Sequence, residues 1–256
     1  MTMKSQHFFI RPLVIFILLI IFSLYTTKTL AATLTVTKTA DTNDGVCNAD
    51  CSLREAITRS LAADTIAFNI PSTDAGCSGG VCTITPASAL PTLSKGGVTI
   101  DGYTQSGATP NTNDFPGAWN GTIKIVLNGT SAGASSNGLQ ITSTNNVIKG
   151  LAINNFKSRG IIINNKSGNK IQGCIIGLDD TGETIQKNTS YGIYLYGAAA
   201  TLNVIGTDGD GSNAAAERNI ISGNGRVGIY IASNGQTTIA GNFIGTDKDG
   251  TTDLGN

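Results

Sequence analysis

The sequence predicts an all-β fold: a right-handed, single-stranded parallel β-helix with a short amphipathic capping helix at its N-terminal end. Two observations predict this fold. The chain matches itself when it is shifted by 68 residues, so that 150–184 aligns with 218–252, and internal repeats on this scale indicate stacked units. Between residues 138 and 256, isoleucine is common at alternate positions and helical periodicity is missing, so the stacked units are expected to be strands.

Residues 1–32 are expected to be a secretory signal peptide that is not part of the fold. Lys4 and Arg11 flank the start of the segment, an apolar run of about 13 residues follows, and Ala31 and Ala32 supply small residues for cleavage. The run is short for a membrane span, which needs roughly 20 residues. An uncleaved anchor is the alternative, and it would be the only contact with a membrane. The predicted location is therefore extracytoplasmic, either secreted or at the cell surface.

The charge of the chain after the signal argues against a nucleic-acid partner. Three of the 17 basic residues lie before residue 33, which leaves 14 basic against 17 acidic groups and a net charge near −3. Binding to nucleic acid calls for a basic face. The single histidine, His7, lies in the signal, so the mature chain has no histidine for a catalytic triad, for general-base chemistry or for zinc.

Five cysteines in an exported chain indicate disulfides. Four of them form two local groups, Cys47 with Cys51 and Cys77 with Cys82, and the local pairings are favoured because each loop is short and rich in turn residues. A zinc site built on these four is the alternative. Cys174 is left over and is expected to pack as a small apolar residue.

One short helix is predicted near the start of the mature chain. Ser52 is a good N-cap, and Glu55 stands three residues later, which is the capping-box pattern. The ends of a solenoid expose unpaired strands and open core, and such ends are usually covered. We therefore expect the helix to lie across the N-terminal opening, approached through the Cys47–Cys51 bridge; packing on a lateral face is the alternative. Its inner face is predicted to hold Leu53, Ala56, Ile57, Ser60 and Leu61, and its outer face Arg54, Glu55 and Arg59.

The array is predicted to occupy 64–256, after a cap module at 33–63. Glycine-started strands begin at residues 138, 160, 192 and 228, and each turn of the array should add about 4.8 Å along its axis. An antiparallel sandwich is the alternative, but it would require two-residue hairpin loops between long strands. The chain stops where the next such strand would begin, so we expect an array truncated at its C-terminus or paired there with another partner. Further strands are predicted at 146–153, 169–176, 202–206, 218–221 and 237–244.

The segment CSLREAI at 51–57, preceded by DTNDGVC, resembles the CSLREA-type N-terminal module of bacterial exported proteins. The phrases VTIDGYTQSG and GNFIGTD look like the right-handed β-helix repeats that often accompany that module. The likeness covers most of residues 33–256. It implies a secreted or surface-exposed, adhesin-like protein, and it implies no particular activity, since none of the motif residues is recognisably catalytic.

An enzyme that acts on polysaccharide, either a lyase or a glycoside hydrolase, is the catalytic alternative. A glycosidase needs two carboxyl groups about 5 to 9.5 Å apart, and Asp179 and Asp247 are expected two turns of the array apart, or roughly 10 Å. The adjacent pair Asp179 and Asp180 is typical of a turn. No catalytic residue is therefore assigned. The repeats also offer three arginines without an acid cluster beside them in sequence: Arg159, Arg218 and Arg226.

Calcium is the one cofactor that the sequence suggests. The stretches 208–211 and 247–253 contain alternating carboxylates beside glycine, of the kind that binds Ca²⁺ in turns, but the distal glutamate of an EF-hand loop is missing. Solvated Asp-Gly turns are the alternative. The candidate ligands are Asp208, Asp210, Asp247, Asp249 and Asp253.

Three functions remain open at this stage. The favoured one is a non-catalytic surface or secreted protein that binds carbohydrate or another cell-surface partner; the others are the polysaccharide enzyme and a structural stalk or spacer. Tyr194 and Tyr230 hold matching positions in GIYL and GIYI, and alternation with their aliphatic neighbours predicts that both face outward as a ladder for a sugar ligand. Tyr191 and Tyr196 are further aromatic candidates.

Overall fold

A computed structural model describes residues 30–232 and 235–256, and these residues form three β-sheets whose strands are almost all parallel. The predicted signal peptide lies outside the described residues except for positions 30–32. Helices are few in the described ranges: α1 (Leu53–Arg59), α2 (Ala214–Glu217) and two 3-10 turns, Gly102–Thr104 and Gly129–Ser131.

The strands are numbered along the chain and fall into sheets A, B and C. Sheet A contains β1 (Thr33–Val36), β2 (Thr65–Phe68), β5 (Thr99–Asp101), β8 (Val147–Lys149), β11 (Lys170–Gln172), β14 (Asn203–Gly206) and β17 (Thr237–Ala240). Sheet B contains β3 (Cys77–Ser78), β4 (Val81–Ile84), β6 (Ile125–Asn128), β9 (Leu151–Asn154), β12 (Ile175–Ile176), β15 (Ile220–Ile221) and β18 (Phe243–Ile244). Sheet C contains β7 (Leu139–Ile141), β10 (Ile161–Asn164), β13 (Tyr191–Tyr196) and β16 (Val227–Ala232).

From β5 onward the chain visits the sheets in rotation, A to B to C, so that each full circuit adds one strand to each sheet; we call one circuit a coil. The strands β8, β9 and β10 make one coil, and β11, β12 and β13 make the next. The first coil, which contains β2, β3 and β4, joins sheet C through a single bridge from Leu93 to Ile141. Among the named strands of the described ranges, only β3 and β4 pair antiparallel. The prediction of a mainly parallel β structure is confirmed, and the sandwich alternative is wrong.

The 68-residue repeat corresponds to two coils. Ile163 pairs with Leu195, and Leu195 pairs with Ile231. The first two side chains are fully buried, whereas Ile231, on the last strand of sheet C, is 38% exposed. Exposure rises in the same way in sheet A, from a buried Ile205 to a half-exposed Ile239. Rows of aliphatic side chains therefore run along the axis of the stack, and their exposure is higher in the last described strands of sheets A and C.

Three segments predicted as single strands each turn a corner and divide into a strand of sheet A and a strand of sheet B. The corners are Gly150, Gly173 and Gly241, with φ of +71°, +59° and +69°, a region that glycine adopts most readily. At Gly173, a Cβ atom would lie 2.6 Å from the hydroxyl oxygen of Tyr103 and 2.7 Å from the carbonyl oxygen of Ala216. The single-strand predictions are wrong at these points because the aliphatic pattern continues through each corner.

Replacing Gly173 by alanine is expected to lower the free energy of unfolding by about 2–4 kcal/mol, because backbone strain adds to steric overlap. Gly209→Ala is the matched control: Gly209 also has a positive φ, +77°, but nothing lies within 4 Å of its Cβ position, so its expected cost is about 1–2 kcal/mol. Urea unfolding followed by circular dichroism measures both. Equal losses would show that close packing at the corner adds nothing.

The helix α1 follows β1, the outermost strand of sheet A, and joins the core at that end of the stack. Its buried side chains are those of Leu53, Glu55, Ala56 and Ile57. Two predictions for this helix are wrong. Leu61, expected on the inner face, is 53% exposed, because the helix ends at Arg59 and the chain has already turned. Glu55, expected on the outer face, is buried because its carboxylate is needed to cap the helix.

A loop that we call the strap, residues 105–122 between β5 and β6, covers the outer face of sheet B. Its Trp119 is buried there, in an apolar cluster that includes Ile175 and Phe243. The strap is hydrogen-bonded to elements far along the chain, since Asn111 Nδ2 donates to the Ala215 carbonyl, Arg218 Nη1 donates to the Gly117 carbonyl, and the backbone N–H of Trp119 donates to the Lys248 carbonyl.

Two disulfides join the favoured local pairs, Cys47 with Cys51 and Cys77 with Cys82, so these sulfurs are not available to bind zinc. Cys174 is a free, buried thiol. Disulfides form and persist in oxidising compartments, and the two here indicate that the protein folds in one. No helix within residues 30–232 and 235–256 has the length and apolar character needed to cross a bilayer.

Candidate functional site

Four tyrosines lie on the outer surface of sheet C, and we call this surface the tyrosine face (Tyr191, Tyr194, Tyr196 and Tyr230). The register of β13 and β16 sets Tyr194 opposite Tyr230. Leu195, between two of the tyrosines in sequence, is fully buried, whereas Tyr196 and Tyr230 are 51% and 42% exposed. The structure thus places Tyr194 and Tyr230 outward on neighbouring coils.

The rings of the tyrosine face stack on one another. The ring centroid of Tyr230 lies 4.9 Å from that of Tyr191 and 5.4 Å from that of Tyr194, with interplanar angles of 22° and 17°. The guanidinium carbon of Arg159 lies 4.6 Å from the Tyr194 centroid, within cation–π range. Because the rings cover one another, a ligand would meet ring edges, phenol hydroxyls and the uncovered surfaces of Tyr196 and Tyr230.

Burial and neighbouring charge set the pKa of Tyr194 in this stack. Burial raises the pKa of Tyr194, Arg159 acts in the opposite direction, and the neighbouring tyrosines raise the pKa further. The Tyr194 hydroxyl therefore stays protonated at neutral pH and remains a hydrogen-bond donor.

Register also explains the position of Arg159, which the sequence offered only as a candidate for a lyase. Backbone hydrogen bonds in parallel register set Asn137, Arg159 and Tyr191 next to one another on three successive coils. The backbone N–H of Arg159 donates to Asn137 Oδ1 at 3.4 Å. A shallow depression of about 260 Å³ begins at Asn137 and Gln140 and extends this outer surface toward the N-terminal end.

Ser52 and Glu55 of the CSLREA segment are occupied by contacts inside the protein. Ser52 Oγ accepts the backbone N–H of Glu55 and donates to the Thr42 carbonyl, while the Glu55 carboxylate accepts the N–H groups of Ser52 and Asp44. Burial alone would raise the pKa of Glu55, but these hydrogen bonds hold it below its ordinary value. Both side chains therefore cap the helix.

Arg54 of the same segment is paired with Asp41 in a bidentate contact, with Nε–O and Nη2–O distances of 2.9 and 2.8 Å. It also donates to the carbonyl oxygens of Ser88 and Ala89. These bonds attach the helix to the segment that follows β4. The polar side chains of the motif therefore stabilise the fold.

Asp179 and Asp247 occupy matching positions in two loops that lie against each other, since the Lys248 N–H donates to the Gly182 carbonyl at 3.0 Å. Each carboxylate accepts N–H groups of its own loop, from Glu183 and Thr184 in the first and from Asp249, Thr251 and Thr252 in the second. Burial would raise both pKa values, but the hydrogen bonds lower them. Because a general acid for glycoside cleavage needs a raised pKa, neither side chain suits that role.

Two of the predicted calcium ligands, Asp208 and Asp210, accept hydrogen bonds within the protein. Asp208 pairs with Lys170 Nζ at 2.6 Å, and this hydrogen bond is the main cause that lowers its pKa. Asp210 accepts the N–H of Ser212. No three His, Cys, Asp or Glu side chains are grouped as metal ligands in the part of the chain that the structure describes. The structure therefore does not gather Asp208, Asp210, Asp247, Asp249 and Asp253 into such a group, and calcium binding stays a prediction.

Arg218, another of the three arginines considered for a lyase, is out of reach of a polymer. It is 1% exposed and lies beneath the strap, with its guanidinium carbon 5.4 Å and 4.8 Å from the ring centroids of Phe115 and Phe243. The side chain supports the packing of sheet B.

Comparison with known proteins finds no matching protein-family model and no matching curated protein. A solved structure described as the crystal structure of an alginate lyase from Paenibacillus sp. str. FPU-7 is similar over 80% of this chain and 76% of that chain, with 16% sequence identity and a TM-score of 0.30. A likeness of this degree carries no argument about the present chain.

Proposed function

We propose that this protein is an exported, non-catalytic protein of the CSLREA type, wound as a right-handed parallel β-helix, that binds carbohydrate on the tyrosine face. The rotation of the chain through three parallel sheets supports the β-helix. Crossover connections between parallel strands are right-handed in about 98% of cases, which supports the handedness. The apolar leader and the two disulfides support export.

The observation that carries the binding function is the pair of exposed rings, Tyr196 and Tyr230, on adjacent strands of a sheet. Tyrosine combines a broad apolar ring with a polar tip, so it can contact the C–H surface of a sugar while its hydroxyl bonds to the sugar's own hydroxyls. Because strands and stacking hold these rings in place, little side-chain freedom is lost on binding.

Replacing Tyr230 by alanine is expected to weaken polysaccharide binding at least tenfold, because one exposed ring and its stacking partners are lost. Isothermal titration calorimetry with soluble neutral and acidic polysaccharides measures the effect. Tyr230→Phe keeps the stack and should stay within about threefold, a change of well under 1.4 kcal/mol. Ile185→Ala removes an exposed apolar side chain in a loop outside sheet C and should change nothing. Equal binding by Tyr230→Ala and the parent protein would contradict the proposal.

One observation favours the enzyme alternative. The pKa of Asp180 is raised, first by burial and then by the charge of Asp179, against the opposing effect of Lys124, and raised carboxyl pKa values are typical of general acids. The same polysaccharides are therefore assayed for unsaturated products and for reducing ends. Turnover that disappears in Asp180→Asn would replace binding by catalysis as the function.

A further inference from the structure

We propose that the tyrosine face recognises an acidic polysaccharide; this inference rests on the proposed function and names its ligand class. The distribution of charge points to it. The segments that form the last three strands of sheet C and lead into and out of them, 154–168, 187–200 and 222–236, contain five basic residues and no acidic residue. Residues 33–256 as a whole contain 14 basic and 17 acidic groups. The five basic residues are Lys157, Arg159, Lys166, Lys187 and Arg226.

None of these five cations forms an ion pair in the described ranges. The five ion pairs found in the described ranges all use other basic side chains, Lys38, Arg54, Lys149, Lys170 and Lys248. In sheet A, for example, Lys149 pairs with Asp101 at 2.9 Å. Of the sheet C cations, Arg159 lies over a tyrosine ring, whereas Lys157, Lys187 and Arg226 are exposed. The surface of sheet C therefore offers positive charge that no acidic side chain of the described residues neutralises in an ion pair.

Parallel register brings the exposed cations to one corner of the stack. The Ser190 N–H donates to the Ser158 carbonyl, and the Gly225 N–H donates to the Asn188 carbonyl, so the entries to β10, β13 and β16 lie side by side. Lys157 and Arg226 belong to coils two steps apart, or roughly 10 Å along the axis. Arg226 directly precedes Val227, which pairs with Tyr191. The exposed cations therefore lie beside the tyrosine face, and both follow the axis of the stack.

A polymer with a repeated negative charge matches this arrangement. One exposed ion pair contributes only about 0.2–1 kcal/mol, so a single small anion would bind weakly. A polysaccharide chain that follows the axis can meet cations on successive coils while its sugar rings contact the exposed ring of Tyr230. Exposed charges are screened by salt, so affinity for such a polymer should fall as ionic strength rises.

The test uses polygalacturonate and its fully methyl-esterified form, which share a backbone and differ in charge. The parent protein is expected to bind polygalacturonate at least tenfold more tightly at low salt, and this preference should shrink at high salt. The triple variant Lys157→Gln, Lys187→Gln, Arg226→Gln should lose at least tenfold in affinity for the acid form. The control triple variant Arg59→Gln, Lys95→Gln, Lys124→Gln has the same net charge but alters cations outside the last three strands of sheet C and the segments that flank them, and it should stay within about threefold.

The outcomes separate this inference from the function on which it rests. Equal, Tyr230-dependent binding of both polymers would overturn the acidic ligand and leave carbohydrate binding intact. Equal losses in the two triple variants would also overturn the inference. Binding of neither polymer, nor of any polysaccharide in the calorimetric panel, would overturn both proposals. Tighter binding to vesicles of anionic phospholipid than to polygalacturonate would assign the surface to a membrane instead.

Discussion

Arg54→Ala is expected to lower the free energy of unfolding by about 3–5 kcal/mol, the usual cost of removing one partner of a buried ion pair. The side chains of Arg54 and Asp41 are only 13% and 7% exposed. Without the guanidinium, Asp41 would keep one hydrogen bond, from the Ala87 N–H, and its charge would be buried without a counter-ion. The carbonyl oxygens of Ser88 and Ala89 would also lose their donor.

Arg59→Ala supplies the matched control, since Arg59 lies in the same helix and is exposed; its expected cost is below about 0.5 kcal/mol. Urea unfolding of the chain from residue 33 onward measures both. If Arg54→Ala fails to fold, Arg54→Lys keeps the charge but loses the bidentate geometry and should cost about 1–2 kcal/mol. Losses no larger than those of Arg59→Ala would show that the CSLREA arginine does not hold the cap.

Asn219→Ala is expected to cost about 2–4 kcal/mol, because each buried polar group left without a partner costs about 1–3 kcal/mol. Asn219 is fully buried. Its Oδ1 accepts the Cys174 N–H at 2.9 Å, and its Nδ2 donates to the Ile171 carbonyl and to Asn242 Oδ1. The substitution breaks the hydrogen bond between Asn219 and Asn242, which links neighbouring coils.

Asn219→Asp adds a pH signature to the same test. A carboxylate at this position would face two oxygen acceptors, so burial should raise its pKa, and the variant should gain stability as the pH is lowered from 7 to 5. Asn69→Ala, at an exposed position next to β2, is the control with an expected effect below about 0.5 kcal/mol. Similar losses of unfolding free energy for Asn69→Ala and Asn219→Ala would mean that the hydrogen bonds of Asn219 contribute little to stability.

The asparagines illustrate which structural roles can be predicted from the sequence and which cannot. Asparagine tolerates a left-handed backbone and is therefore typical of bends, and Asn155 and Asn165 have φ of +60° and +55°. Asn188 and Asn224 instead have buried side chains that bond to each other, Nδ2 to Oδ1, across coils. Propensity describes a residue's own backbone, so it could not distinguish a bend from a cross-coil hydrogen bond.

The strands of sheet C were predictable because glycine starts them and aliphatic residues alternate along them, and the same alternation placed Tyr194 outward. The contact between Arg159 and Tyr194 could have been found by aligning the coils, since Arg159 lies just before β10 and Tyr194 lies on the neighbouring strand β13. The pairing of Arg54 with Asp41 and the burial of Glu55 could not have been found in this way. Both depend on how residues 33–63 of the cap fold against one another. Amphipathic periodicity alone assigned Glu55 to solvent.

The strap alters how the protein must assemble. In an array whose coils touch only their neighbours, structure can spread from one coil to the next and stability grows with each. Here Asn111 and Gly117 form hydrogen bonds with residues that lie 104 and 101 positions further along the chain. A chain synthesised from its N-terminus therefore keeps Trp119 and its apolar surroundings uncovered until the late coils appear. We expect the contacts of long sequence separation to slow folding and to couple early and late coils, so that the stack unfolds as one cooperative unit.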